Sequence, residues 1–497
     1  FLTTWGLWFL LRFLDAGDRR WLVAVGLAAG VSVLFKITGL YFVAAVLLTL
    51  AWHRAGEGDL LETDASVPGQ VGAAAFGVRP PATAEGPAWS TWAIPLYPPV
   101  VAGGVVVFLL LLARLVLFRS GPAGVVHFFF PGLVVGAGVV ARSWRAGGRP
   151  HHPPTEGWLG RKLPALLGDG LVLGGALGFP VVAFLLPYAA SDALDLWVSG
   201  VFLLPGERFR FAASPAGSLW TVLPGLVGVG ILWGSGRLLA ADRPRMAAAL
   251  AVALLAAVSL DDAVDGAVLS TLWYAARSWV PWLTAWGVWR ALERRSASAP
   301  LFALVATAAL WALVQFPYVS PAYFFYLAPL AVLATLAVTA RSAVGHGPVL
   351  GVFAALHLLL GLGYVSGVVR SGETPLPGDR GGIVVTAEDA RTYGVLLGVV
   401  EDRLDGGGLW VTPDAPQVYF LAGEPNPTPV LYEFLGAPGM PADPAPPPPP
   451  PGTSVVVLNT RPLFSPFPRG LENRLAREGF TGRRPVGPFV VLWRETR

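Results

Sequence analysis

Long apolar stretches separated by short polar breaks run along most of the chain. Twelve read as membrane helices: Phe1–Leu14, Trp21–Phe35, Ile37–Trp52, Pro95–Ala113, Ala123–Ala141, Leu166–Tyr188, Leu219–Gly234, Met246–Leu260, Thr271–Ala291, Pro300–Phe316, Ala322–Ala340 and Pro348–Val368. A helix needs about 20 apolar residues to cross the hydrocarbon core, and shorter ones occur in packed bundles. After Val368 the pattern shortens. Ile383–Thr386, Leu409–Thr412, Ser454–Asn459 and Phe489–Arg494 read as strands. Ala387–Leu404, Ala415–Ala422, Val430–Leu435 and Arg469–Gly479 read as helices. Strands alternating with helices predict an α/β domain. The expectation is an α-helical polytopic membrane protein of about twelve transmembrane helices over residues 1–368, then a small α/β domain over residues 369–497.

The charges between the apolar runs predict orientation, because Arg and Lys favour the cytoplasmic side. With Arg19 and Arg20 inside and the chain alternating, seventeen basic residues before position 369 fall inside. Six fall outside: Lys36, Arg114, Arg119, Arg208, Arg210 and Arg277. The last helix then runs outward, which makes the C-terminal domain extracytoplasmic. The inner loop His53–Trp92 and the proline run Ala445–Gly452 offer no periodic apolar face and are expected to lack regular structure. The chain begins at Phe1 within an apolar stretch, with no basic segment ahead of it. That predicts an opening inside a membrane helix, with sequence upstream.

Composition narrows the function. Hydrophobic residues make up 54% and charged residues 13%, where a soluble domain carries about 25% charged. An ordinary cytosolic enzyme is excluded. The absence of cysteine excludes disulfides, thiolate metal sites and cysteine nucleophiles. A net charge of +4 gives no ground for a nucleic-acid partner. The C-terminal domain has no Gly-rich phosphate loop and no nucleophile elbow.

A few residues stand out as candidate chemistry. Lys36 lies between two apolar stretches at the outer face. A charge at membrane depth is costly and normally has a partner or a task; an ammonium there can hold a lipid phosphate, or it can snorkel to the interface. Arg277 shares a helix with Trp273, Tyr274, Trp279 and Trp282. It is either a phosphate clamp or a partner for Asp261, Asp262 or Asp265. Arg208 and Arg210 follow Glu207 in an outer loop and suit donor phosphate, acceptor anions or lipid headgroups. The Asp261-Asp262-Asp265 cluster could hold a divalent ion or supply a base, although a solvated acidic loop is the commoner arrangement; no cofactor is otherwise indicated. His151 and His152 read as solvated, because zinc needs three or four convergent ligands. His127 and His357 read as hydrogen-bonded core histidines.

An ordered set of local patterns resembles the GT-C class of integral-membrane glycosyltransferases, in the family-39-like group of protein O-mannosyltransferases and the lipid A aminoarabinose transferase. Asp18-Arg19-Arg20-Trp21, then Gly26-Leu27-Ala28-Ala29-Gly30, then Leu34-Phe35-Lys36-Ile37-Thr38-Gly39-Leu40 are similar to that group's GLxxGLxxLTKxTGL stretch. Tyr323-Phe324-Phe325-Tyr326-Leu327-Ala328-Pro329-Leu330 resembles its RYxxYxxPxL stretch, with Ala322 where many members have Arg. Val411–Phe420 and Asn426-Pro427-Thr428-Pro429 resemble the tails of bacterial members. The resemblance implies a bacterial plasma-membrane enzyme. Such an enzyme passes a sugar from a polyprenyl-phosphate donor to a lipid, glycan or protein acceptor of the cell envelope, on the outer face of the membrane. It also implies substrate-binding roles for Lys36 and Tyr323, and a catalytic carboxylate in a first outer loop that falls before Phe1.

Two other functions compete. A secondary transporter fits the helix count, but such transporters show two similar halves, and none is seen here. A non-catalytic envelope protein that binds polyprenyl lipid is the third reading.

Overall fold

The computed structural model describes residues 1–56, 96–117, 120–147, 156–203, 219–226, 267–293, 298–316, 321–339, 358, 362, 374–376, 380, 382–428, 448–462, 465, 467–468 and 470–495. The chain divides into two compact units. The first comprises Phe1–Leu186 and Pro215–Leu360, the second Pro187–Ser214 and Gly361–Arg497.

The first unit is helical. Its helices are α1 (Leu2–Ala16), α2 (Arg19–Phe35), α3 (Gly39–Gly56), α4 (Tyr97–Val116), α5 (Phe130–Gly147) and α6 (Glu156–Ala190), which reaches into the second unit. A turn at Pro122–Gly124 and a π-helical turn, Val125–Phe129, lead into α5. Short caps decide where the early helices stop. Gly17, at φ 68°, ends α1 and donates its N–H to Phe13 O at 2.8 Å; glycine takes this left-handed conformation without a Cβ penalty. Asp18 then caps α2 by accepting from the Arg20 N–H at 2.9 Å. Between α2 and α3 the backbone doubles back so tightly that a Cβ on Gly39 would lie 2.6 Å from Val33 N.

α3 packs on α5 and on α9 (Ser298–Trp311, continued by a 3₁₀ turn, Ala312–Gln315). α8 (Ala267–Glu293) packs on α5, α9 and α10 (Pro321–Thr339). α2 meets α6 through glycine: a Cβ on Gly26 would come within 2.7 Å of Leu173 O, and one on Gly30 within 2.6 Å of Pro180 Cγ. Glycines four apart let two backbones approach, as membrane helices do in the absence of a hydrophobic drive between them.

Among the described residues five helices are long and apolar enough to cross a membrane: Gly39–Gly56, Tyr97–Val116, Pro122–Arg145, Lys162–Ala190 and Ser298–Gln315. This fits a polytopic membrane protein. α1 and α2 are shorter, at 15 and 17 residues. Met246–Leu260 lies outside the described residues, as does Pro348–Val368 apart from two positions. The outer faces of α4 and α6 are apolar. Val107, Leu110 and Leu111 are exposed on the first, and Leu171, Phe179 and Val182 on the second. Such large apolar patches mark an interaction surface, and lipid fits them. The expected loop His53–Trp92 starts later than its pattern suggests, since α3 runs on to Gly56; residues 57–95 lie outside the described set.

In the second unit, strands β3 (Gly408–Thr412), β4 (Thr453–Asn459), β5 (Gly482–Val486) and β6 (Phe489–Trp493) form a sheet in the order β3-β4-β6-β5. β3 and β4 are parallel and the other pairs antiparallel. Period-two alternation splits the sheet's side chains between two cores. Leu409, Val411, Val455, Val457 and Val491 pack with α11 (Ala387–Leu404) and α12 (Gln417–Ala422). Trp410, Val456, Leu458, Val490 and Leu492 pack with α13 (Leu471–Arg477). A separate two-residue pair, β1 (Thr374–Pro375) with β2 (Val384–Val385), lies earlier in the chain.

Thr386 caps α11, accepting from the Asp389 N–H at 3.1 Å and donating to the Asp389 carboxylate at 2.8 Å. At one edge the Tyr419 hydroxyl accepts from the Val411 N–H at 2.7 Å and donates to Val411 O at 3.3 Å. The opposite edge strand carries Arg483, Arg484 and Pro485 as its exposed residues. Of the proline run, residues 448–450 have neither helix nor strand and lead into a turn.

Candidate functional site

Charged side chains gather at both ends of the α-helices in the first unit. At one end the start of α2, the end of α3, the end of α5 and the start of α6 come together. Asp169, fully buried on α6, pairs with Arg19 at 3.3 Å and accepts from Arg54 Nε at 2.8 Å. Lys162 Nζ donates to Ala55 O at 2.9 Å. The Arg142 guanidinium lies over the Trp52 ring at 5.0 Å, and that ring stacks on Phe302. Trp52 Nε1 donates to Ser298 at the start of α9, and Arg145 reaches Leu292 O at the end of α8. Arg19, Arg54, Arg142, Arg145 and Lys162 are all residues that the charge pattern assigns to the inner side. Asp18 also lies at this end. The Arg20 guanidinium, bonded at 2.8 Å, holds its carboxyl below the usual aspartate range.

Lys36 and Tyr323 occupy the other end. Lys36 follows the last residue of α2, where an extended backbone breaks the helix, and its side chain is exposed. Its ammonium lies 4.5 Å from the centroid of the Tyr323 ring. Tyr323 is in the first turn of α10, and Tyr326, one turn on, stands 6.3 Å from it between ring centroids. Two sequence patterns nearly 300 residues apart thus meet in one cation–π contact. The ring face attracts the ammonium and helps to orient it.

Arg277 sits in the N-terminal half of α8 and is almost wholly buried. Its Nη2 lies 3.3 Å from His127 Nε2. Guanidinium only donates, so His127 accepts there through a neutral ring nitrogen. His127 belongs to the π-helical turn ahead of α5, a distortion that often accompanies functional sites. The next residue, Phe128, meets Phe316 edge-on at 5.6 Å. Ala276 and Val280, which flank Arg277, pack with Phe324 and Leu327 of α10 in one apolar cluster. That cluster links the helix carrying Arg277 to the helix carrying Tyr323.

Arg208, Arg210, Asp261, Asp262 and Asp265 lie outside the described residues, as do His151, His152 and His357. Among the described residues no group of three or more His, Asp or Glu side chains could hold a metal ion. Sequence reasoning missed two features. Asp169 is the one carboxylate of the apolar stretch Leu166–Tyr188, which is the usual signal of an intramembrane ionisable residue. The His127–Arg277 contact spans 150 positions, and nothing local in the sequence announces it.

Residues 1–76 match the profile of the dolichyl-phosphate-mannose-protein mannosyltransferase family. The matched stretch includes α1, α2, Lys36 and α3. It points to a membrane glycosyltransferase of the GT-C type. No curated protein and no solved structure matches the chain.

Proposed function

We propose that this protein is a membrane glycosyltransferase of the GT-C type that takes a sugar from a polyprenyl-phosphate donor and passes it to a cell-envelope acceptor on the outer face of the membrane. The observation that carries the reading is the Lys36–Tyr323 contact, formed by a lysine within the stretch that matches the mannosyltransferase family. When a glycosyl phosphate bond breaks, negative charge grows on the departing phosphate. A cation already held in position stabilises that charge without reorganising. Lys36 supplies the cation and Tyr323 positions it. Arg277, oriented by His127, is a second cation in the same half of the helical unit, and Arg208 and Arg210 are further candidates for the donor's anionic group. The acceptor is a lipid, glycan or protein, and the enzyme works in the bacterial plasma membrane with residues 369–497 outside.

The experiment is a transfer assay on the protein carrying the upstream segment expected to hold the catalytic carboxylate, purified and lipid-reconstituted with polyprenyl-phosphate sugar, comparing wild type with Lys36→Ala. Loss of one charge-assisted contact predicts a drop in transfer of at least about tenfold, equivalent to about 1.4 kcal/mol. Undiminished transfer by the variant removes Lys36 from the mechanism.

A further inference from the structure

A short apolar helix follows directly on the membrane-spanning part of α6. It consists of α7 (Leu194–Val198) and the π-helical turn Ser199–Leu203. α6 ends at Ala190, and a turn of three residues leads into α7; within it the Ala193 N–H bonds back to Tyr188 O at 2.8 Å. The sequence from Leu194 to Leu203 is LDLWVSGVFL. None of these ten residues is buried. Leu196 is 70% exposed, Phe202 48% and Leu203 57%. Trp197 meets Phe202 edge-on at 5.4 Å between ring centroids, so the two aromatics form one apolar patch.

Ten helical residues extend about 15 Å, half of the roughly 30 Å hydrocarbon core. The segment is too short to cross, and it has no protein core to enter among the described residues. Water is a poor solvent for such a surface. Chain continuity places it within a few residues of the point where α6 leaves the bilayer, and the exposed apolar residues of α6 continue up to Leu186. Trp with neighbouring Phe and Leu is the composition that settles at the boundary between headgroups and acyl chains.

We infer that Leu194–Leu203 is an interfacial helix whose occupant is the lipid surface itself. Leu196, Trp197, Phe202 and Leu203 sit in the shallow acyl region, and Asp192 and Asp195 stay at headgroup level. The segment is a membrane anchor and not a docking site for another protein. The inference rests on α6 being a membrane span and is independent of any transferase activity.

The chain contains no cysteine, so single labels can be placed cleanly. Leu196→Cys, Phe202→Cys and, as a control on α6, Phe179→Cys are labelled with an environment-sensitive fluorophore in the full chain. The proteins are reconstituted in phosphatidylcholine vesicles containing lipids brominated at shallow or deep acyl positions. Labels at 196 and 202 should be quenched at least about twofold more by shallow than by deep bromines, and weakly by aqueous iodide. The label at 179 should prefer deep bromines. If iodide quenches 196 and 202 as freely as a label at the exposed turn residue Asp405, the inference is overturned. Protection from both quenchers means that protein covers the helix, which overturns it equally. If the label at 179 is reached by iodide and not by lipid bromines, α6 is no span and the membrane reading fails with it. The first two failures leave that reading standing.

Discussion

The two ends of the helical unit use positive charge in different ways. At one end Arg19 and Arg54 close on the one buried carboxylate of Asp169, a contact that joins α2 and α3 to α6. At the other end Lys36 rests on a tyrosine ring and Arg277 on a histidine nitrogen. Neither contact cancels a charge; each helps to orient one. At the first end the contacts run to a carboxylate and join helices; at the second the contacts with Tyr323 and His127 orient a cation. A carboxylate fastens, whereas an aromatic ring or a neutral imidazole only positions.

The most damaging test of that contrast is Asp169→Ala. Removing one partner of a buried ion pair leaves a charge uncompensated and costs about 3–5 kcal/mol, read as a lower thermal midpoint in detergent. Adding Arg54→Met should recover part of the loss, and a midpoint indifferent to Asp169 would mean that this end is not fastened by charge. Gly30→Val comes next. Its new methyls must push Leu177 and Pro180 of α6 away, an overpacking worth about 1–3 kcal/mol, with no charge altered. If that variant melts with wild type, α6 is held by the ion pairs alone.

At the opposite end the expected signature is reversed. Tyr323→Leu keeps Lys36 but loses the ring that places it, a contact worth about 0.5–1 kcal/mol at an exposed site. Transfer should fall several-fold while the thermal midpoint stays put, and Tyr323→Phe, which retains a ring face, should restore most of it. A variant that loses stability in place of activity would make Tyr323 a packing residue. The smallest effect concerns Asp18. Its carboxyl is held below the usual aspartate value near 3.8 by Arg20, so its contribution is present above that value and disappears as pH falls through the lowered one. Asp18→Ala should lower the midpoint slightly at neutral pH, and the gap should close in acid. A gap that persists at low pH would assign the effect to the helix cap geometry and not to charge.

Much of the helical unit could be read from the sequence because a run of apolar residues has few alternatives to a buried or membrane helix. Helix boundaries were harder. The sixth apolar stretch reads as starting at Leu166, whereas the helix begins at Glu156, because hydropathy fades over Arg161 and Lys162 while the helix does not. In the second unit the strands around Trp410, Val456 and Val491 announce themselves by β-branched and aromatic residues. β5 does not. Gly482-Arg483-Arg484-Pro485-Val486 has no strand composition and becomes a strand only through its register with β6, across a turn opened by Gly487 at φ 56°. Lys36 was legible because a lysine inside an apolar hairpin is costly wherever it points. Its approach to Tyr323, and that of Arg277 to His127, depend on how distant helices pack, which no local pattern encodes. Arg208 and Arg210 were equally visible as charges, but they fall outside the described residues.

The four-stranded sheet has two rims, and a free rim is an invitation to a further strand. At Val411 a single phenolic oxygen occupies both hydrogen-bonding positions that a neighbouring chain would need. On the far rim one residue is proline, which has no N–H to offer, beside two arginines that would be brought against an incoming backbone. The sheet is thus a finished object whose growth is blocked at both borders. Copies crowded side by side on a membrane would meet without these strands knitting together.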